Sequence, residues 1–369
     1  MERRIPVAEP VLGERELEYV ADAIRSGWIS SLGPYVTRFE ERLSSLCHAQ
    51  HAVAVCNGTA GLHLALAAVG IGPGDEVIVP AMTFVATANA VRYVGATPIF
   101  ADCDESYWCI DAEEVARLLS PRTKAVMPVH LFGHAADVEA IRAVCDPHGI
   151  PVVEDAAEAL GTTVRGRPAG SLGAAGVFSF YGNKLISTGE GGALVTDDAG
   201  LAERARALSD HAMDPARRYW HDQIGFNYRI TNLQAALGVA QLERVEVLLE
   251  RKRAIAHRYS EAFAHLPEVE FQVEAPWCQS SWWMTTVLIG ERAPVDRDAL
   301  ADRLGKAGID TRPAFVPLHL LPPYRTGTGE TLPVSERIGR AGLTLPSSAS
   351  LSEHEQARVV ESFLEAWRR

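Results

Sequence analysis

The chain has 369 residues, 47% of them hydrophobic and 22% charged, with a net charge of −12 at neutral pH. That length allows roughly two domains, whose cores need neither disulfides nor metals. The acidic balance excludes a broad nucleic-acid surface and leaves phosphate binding to a focused local site.

No apolar signal region follows the opening Met-Glu-Arg-Arg-Ile-Pro, and the most apolar helical stretch, 59–71, is too short to span a bilayer. A soluble cytoplasmic protein without membrane contacts is therefore expected. The six cysteines, at 47, 56, 103, 109, 145 and 278, form no C-x-x-C pair and read as buried free thiols. In chain order, apolar runs at 76–80, 98–101, 125–129, 151–154, 176–181 and 193–196 read as strands. Helical patterns at 84–94, 112–119 and 138–148 lie between several of them. Continuous Val/Ile runs, rather than alternating ones, suggest strands covered on both faces. The β-α-β rhythm predicts a mostly parallel sheet with helices on both sides. From Asn232 a single long helix is expected, reaching about His265, with Leu233, Leu237, Ala240, Val245 and Leu248 on its apolar positions. Shorter α and β elements follow, and Pro313, Pro317, Pro322 and Pro323 punctuate an ordered, irregular loop. The predicted organisation is a large α/β domain over 12–245. A smaller C-terminal α+β domain over 246–369 packs with the arm 1–11.

Three segments carry chemistry. Cys56-Asn57-Gly58-Thr59-Ala60 is a small turn opening a helix, where free N–H groups and the helix dipole favour a phosphate. Alone, such a turn is more often an ordinary N-cap. Glu154-Asp155 ends an apolar strand, the edge of an α/β sheet at which ligands bind. An Asp there can pair with a protonated pyridine nitrogen, or simply be a helix-capping or solvated acid. The stretch 178–192, FSFYGNKLISTGEGG, runs a strand into a Gly-rich loop holding one lysine, Lys184. A lysine in a tight, desolvated loop loses its proton readily enough to form an imine, although most loop lysines are surface lysines. The order of phosphate turn, strand-end acid and loop lysine gives weight to the combination. Gly70-Ile71-Gly72-Pro73-Gly74 follows a helix and lacks dinucleotide spacing. His130 and His134 flank a loop, so a metal site is not expected.

These segments resemble the fold-type-I (aspartate aminotransferase-like) pyridoxal-phosphate enzymes of the DegT/StrS family, which act on nucleotide sugars. The resemblance covers nearly the whole chain. It includes GWISS at 27–31, PAMTFVATANA at 80–90, PVHLFG at 128–133, EDAAE at 154–158, GFNYRITNLQ at 225–234 and PLHLLPPY at 317–324. The lysine loop and the Gly-Phe-Asn-Tyr-Arg segment are most similar to the sugar 4-aminotransferases of that family.

The resemblance implies pyridoxal 5′-phosphate as cofactor, with Lys184 as the Schiff-base lysine and Asp155 paired with the ring nitrogen. It implies Glu158 near the ring's phenolic oxygen, Phe84 stacking on the ring, and Gly58, Thr59 and Ser179 at the phosphate. Asn227 would contact the phosphate from a neighbouring subunit, which implies a homodimer with shared sites. Trp28, Ser30 and His319 match segments near the sugar. The implied reaction moves an amino group from L-glutamate to a nucleotide-linked keto-deoxysugar at C-4. Amination at C-3, or of a cyclitol or other ketone, would use the same catalytic residues. A sugar dehydratase of this fold would carry His in place of Lys184, and a regulatory PLP-binding protein would not need the full lysine–acid pair. Cys56 departs from the family's usual Ser, and Val316 and Trp282 depart from its usual residues in segments that could touch the acceptor.

Overall fold

In a computed structural model, which describes residues 3–325 and 331–368, the central sheet follows the βα rhythm. Strands Thr97–Ala101, Glu76–Pro80 and Thr123–Val126 lie side by side, all parallel. Two parallel bridges, Val126–Val152 and Val129–Asp155, join this group to the strand Val153–Asp155. Next come Ala175–Ser179, parallel to it, then Gly192–Thr196 and His51–Val55, each antiparallel to its neighbour. The sheet is thus mostly parallel, with its antiparallel pairings gathered at one edge.

Side chains alternate across the sheet, and each face has its own apolar cover. Val53, Val55, Val77, Val79 and Val177 pack with Leu62, Ala88 and Leu201, from helices Gly58–Val69, Ala86–Tyr93 and Ala199–Ser209. Their neighbours Ala52, Ala54 and Phe178 turn the other way, onto Phe39, Leu43 and Val239. On the same principle Ile78 and Val126 meet Val115 and Ile141. Each fully buried Val, Leu or Ile side chain contributes about 1.5–3 kcal/mol, which makes the two-faced cover the main stabilising term.

The last third builds an antiparallel sheet in the order Val269–Phe271, Thr285–Ile289, Gly342–Leu345, Arg312–Pro313. Tyr259, Phe263, Leu300, Val359 and Phe363 pack together in the core of this part. The N-terminal arm docks there, with Ile5 bridged to Ile309 and Val7 O accepting from Ser347 N at 2.9 Å.

Several elements differ from expectation. The long helix from Asn232 is two helices, Asn232–Leu242 and Val245–Phe263. The break has no Gly or Pro. Arg244 N turns back to Gln241 O at 3.0 Å, and its guanidinium reaches Val11 O and Glu16. Tertiary anchoring therefore ends the first helix. The helix expected over 138–148 stops at Cys145 and continues as one 3-10 turn, Asp146–His148, where Pro147 cannot donate. The strand expected over 125–129 runs Thr123–Val126. The strand His51–Val55 and the helices Glu14–Ser26 and Pro34–Leu46 were not foreseen.

Candidate active site

A cavity of about 740 Å³ opens at the C-terminal end of the parallel strands, and the three chemistry-bearing segments converge on it. Gly58, Thr59, Phe84, Asp155, Glu158, Ser179 and Lys184 all line it.

The turn at 56–60 is organised by Asn57, whose Oδ1 accepts from Ala60 N at 2.8 Å and caps helix Gly58–Val69. The first-turn N–H groups of Gly58 and Thr59 have no partner within the helix and face outward from its positive end. The turn lies tight against the neighbouring strands. A Cβ on Gly58 would come within 2.9 Å of Ser179 Cβ, and one on Gly192 within 2.6 Å of the Asn57 carbonyl carbon. Glycine at these positions lets the turn sit beside Ser179.

Strand alternation separates the two adjacent acids. Glu154 is fully buried and accepts from Gly170 N, Leu172 N and Gly173 N at 2.6–2.7 Å, and from His130 Nε2 at 2.9 Å. His130 Nδ1 accepts from Ala136 N, which assigns the ring proton to Nε2. Glu154 and His130 thus act as a structural joint. His134 is engaged elsewhere, with Nε2 accepting from Ala275 N. Among the described residues no cluster of three metal-ligating side chains occurs.

Asp155 points into the cavity. Thr87 Oγ1 donates to its Oδ2 at 2.7 Å, and Ala157 N donates to its Oδ1 at 3.2 Å. Burial pushes the carboxyl above its ordinary range, and Thr87, Ala157 and nearby Lys184 pull it back.

Lys184 sits in a loop that closes on itself. Phe180 N donates to Gly191 O and Thr188 N to Phe180 O, both at 2.9 Å, while Ile186 is buried beneath. The Lys184 amine lies 3.6 Å from Glu158 Oε1 and 3.8 Å from the centre of the Trp283 ring. Trp283 is fixed by its Nε1–H, which donates to Asn183 O at 2.7 Å. Glu158 Oε2 accepts from Phe132 N at 2.8 Å, and Phe132 holds a left-handed φ of 57° to present it. Burial is the largest influence on both members of the pair. It lowers the Lys184 ammonium and raises the Glu158 carboxyl to about 7, while their mutual attraction opposes both shifts. Burial thus makes the amine easier to deprotonate than an exposed lysine, the direction a nucleophilic lysine needs.

Other expected residues lie outside this cavity. Trp28 and Ser30 are exposed, and their carbonyls accept from Asn232 at 2.7 and 2.6 Å. Asn227 is exposed in a bridge with Asp210. His319 is buried with its Nε2 3.2 Å from Glu336. Of the three departures, Cys56 lines the cavity, whereas Val316 and Trp282 do not, although their neighbours Phe315 and Trp283 do. Thr87, Trp283 and the Phe132 amide were not singled out from the sequence. Thr87 and Phe132 lie in recognised motifs, but no local signal shows that either bonds an acid 68 or 26 residues away.

Residues 10–364 match the model of the DegT/DnrJ/EryC1/StrS aminotransferase family. The chain is 45% identical to the GDP-perosamine synthase of Caulobacter vibrioides, over 97% of this chain and 96% of that protein. Among solved structures it resembles DesI, determined in the presence of its TDP-sugar product, with a TM-score of 0.93, 38% identity and coverage of 100% and 94% of the two chains. It also resembles Spr1654 of Streptococcus pneumoniae in its PLP form, with a TM-score of 0.93, 29% identity and 99% coverage of each chain.

Proposed function

Because this chain belongs to the DegT/DnrJ/EryC1/StrS aminotransferase family and is a PLP-dependent aminotransferase, we propose that it aminates a nucleotide-linked keto-deoxysugar at C-4, with L-glutamate as donor. The observation that carries the reading is the buried Lys184 amine beside Glu158, in one cavity with Asp155 and the Gly58–Thr59 turn. The C-4 position and the nucleotide-linked acceptor rest on the GDP-perosamine synthases, which are 42–45% identical to the chain.

The cavity suits the cofactor chemically. Outward N–H groups at Gly58 and Thr59, with the Ser179 hydroxyl, would hold the phosphate. The buried Asp155 carboxylate would hold a proton at the ring nitrogen. Phe84 lines the wall where a ring would stack, and Glu158 would face the phenolic oxygen. When bound, PLP supplies an aldehyde that captures amines and a ring that takes up the electron pair of a deprotonated carbon.

The chain's own groups do the rest. Lys184 Nζ, whose proton affinity burial lowers, removes the α-proton of the donor as general base. In the second half-reaction the same amine, now as acid and base, returns a proton to the sugar carbon that bore the carbonyl. Such positioned proton transfer is worth about 10²–10⁴-fold. Trp283 and Phe132 wall the amine off from water, which keeps its proton affinity low. Trp28, Ser30 and Asn227, exposed and outside the cavity of their own chain, are proposed to serve a partner's site in a cytoplasmic homodimer. His319 is proposed to support the acceptor side through the loop that carries it.

The test is an acceptor screen with L-glutamate and GDP-linked or dTDP-linked 4-keto-6-deoxy sugars, read by product mass and NMR. A 4-amino sugar is expected from wild type and none from Lys184→Ala. Equal turnover by the Ala variant, or no glutamate-dependent product from any acceptor, would sink the reading.

A further inference from the structure

Among the described residues lining the cavity, Lys184 and Arg312 are the cationic ones, set against Asp155, Glu158 and Glu190. Lys184 is committed to Glu158 and to the chemistry, with only 13% of its side chain exposed. Arg312 differs in every respect. It lies at the exposed rim, on the short strand Arg312–Pro313, and forms no ion pair among the described residues.

Its backbone is nonetheless well placed. Arg312 pairs with Thr344, and Thr344 Oγ1 is 2.8 Å from Thr286 Oγ1. Three residues on, Phe315 stacks on Phe132, with ring centroids 5.8 Å apart and an interplanar angle of 19°. Phe132 is the residue whose amide holds Glu158 beside the reacting lysine. Arg312 is therefore carried by a wall built onto the catalytic floor, and is itself exposed where it lines the cavity.

Depth decides what can reach it. A substrate's reacting carbon must approach the amine at the floor, and a carboxylate on that same carbon stays there with it. Only an anion several bonds further out reaches the rim. The two substrates of the proposed reaction share that feature. A dicarboxylic amino acid carries a side-chain carboxylate, and a nucleotide-linked sugar carries a diphosphate. They visit one cavity in turn, so one fixed anion reader can serve both. A guanidinium suits the task because its planar fork pairs bidentately with carboxylate or phosphate oxygens.

We propose that Arg312 is a specificity-determining residue that holds the distal anion of both substrates, the donor's side-chain carboxylate and the acceptor's diphosphate. This rests on the aminotransferase reading of the cavity.

The test uses the PLP-loaded enzyme and two unreactive probes, glutarate and inorganic pyrophosphate, titrated calorimetrically into wild type, Arg312→Gln and Arg312→Lys. Arg312→Gln is expected to weaken both probes about tenfold or more, with Arg312→Lys between it and wild type. In turnover, Arg312→Gln should raise KM for L-glutamate and for the nucleotide sugar more than it lowers kcat. The preference for L-glutamate over L-alanine should fall by about the same tenfold factor. Melting temperatures of the variants show whether the fold survives. Unchanged binding of either probe overturns the proposal, as does an unmoved glutamate-to-alanine preference. Probe binding needs no turnover, so an inactive wild type would count against the enzymatic reading while the titrations still judge Arg312.

Discussion

Replacing Thr87 by valine keeps the side-chain shape and deletes one hydroxyl. That hydroxyl donates to Asp155 Oδ2 at 2.7 Å, where both groups are buried and water has little access to replace it. Asp155 keeps its second donor, Ala157 N, at 3.2 Å. A hydrogen bond to a charged group is worth about 1.5–3 kcal/mol. Lost from the ionised form alone, that amount moves the carboxyl's titration upward by about one to two pH units. Burial already holds Asp155 above its ordinary range, so the change adds to an existing strain on the charged form. In the proposed mechanism Asp155 works ionised, so activity is lost as pH falls through its titration. The acidic limb of the pH–rate profile should therefore move toward neutrality in Thr87→Val. The assay is the glutamate half-reaction followed by absorbance from pH 5 to about 9, with PLP affinity titrated at each end. Thr87→Ser keeps the donor and should behave like wild type. A folded Thr87→Val protein with an unmoved acidic limb and wild-type PLP affinity would refute the reasoning.

Gly58→Ala should destabilise the protein by about 1–3 kcal/mol and weaken PLP, because its Cβ would sit 2.9 Å from Ser179 Cβ. The double variant Gly58→Ala/Ser179→Gly should recover much of the melting temperature, and failure to do so would place the strain elsewhere. In the cofactor-free protein, raising Glu158 from 4.5 to about 7 corresponds to on the order of 3 kcal/mol. A raised pKa means that this contribution is present below pH 4.5 and is lost as pH rises through about 7. The stability of wild type relative to Glu158→Gln should fall across that window in denaturant titrations, and a flat difference would contradict it. Lys184→Ala should abolish turnover and the visible absorbance of the lysine-bound cofactor, which a spectrum of the purified protein checks directly.

The sequence by itself determined the sheet's rhythm and the order of the chemical segments, because both are written in local patterns. Continuous Val/Ile runs mark strands covered on two faces, as at 76–80, whose Val77 and Ile78 enter different cores. The Asn57 cap and the loop around Lys184 are equally local and were legible before any coordinates. The family resemblance singled out Asp155, but nothing local gave its neighbour Glu154 a role. Glu154 became a buried joint and Asp155 a cavity group only when His130, the 170–173 turn and Thr87 came in from other segments. The same holds for Trp283, which hydrogen-bonds a carbonyl 100 residues earlier, and for the helix break after Leu242, which Arg244 enforces by reaching the N-terminal arm. Such choices rest on contacts between distant segments. Propensity and periodicity act over a few residues, whereas the desolvation that gives Lys184 and Glu158 their shifted proton affinities exists only once the whole cavity has closed around them.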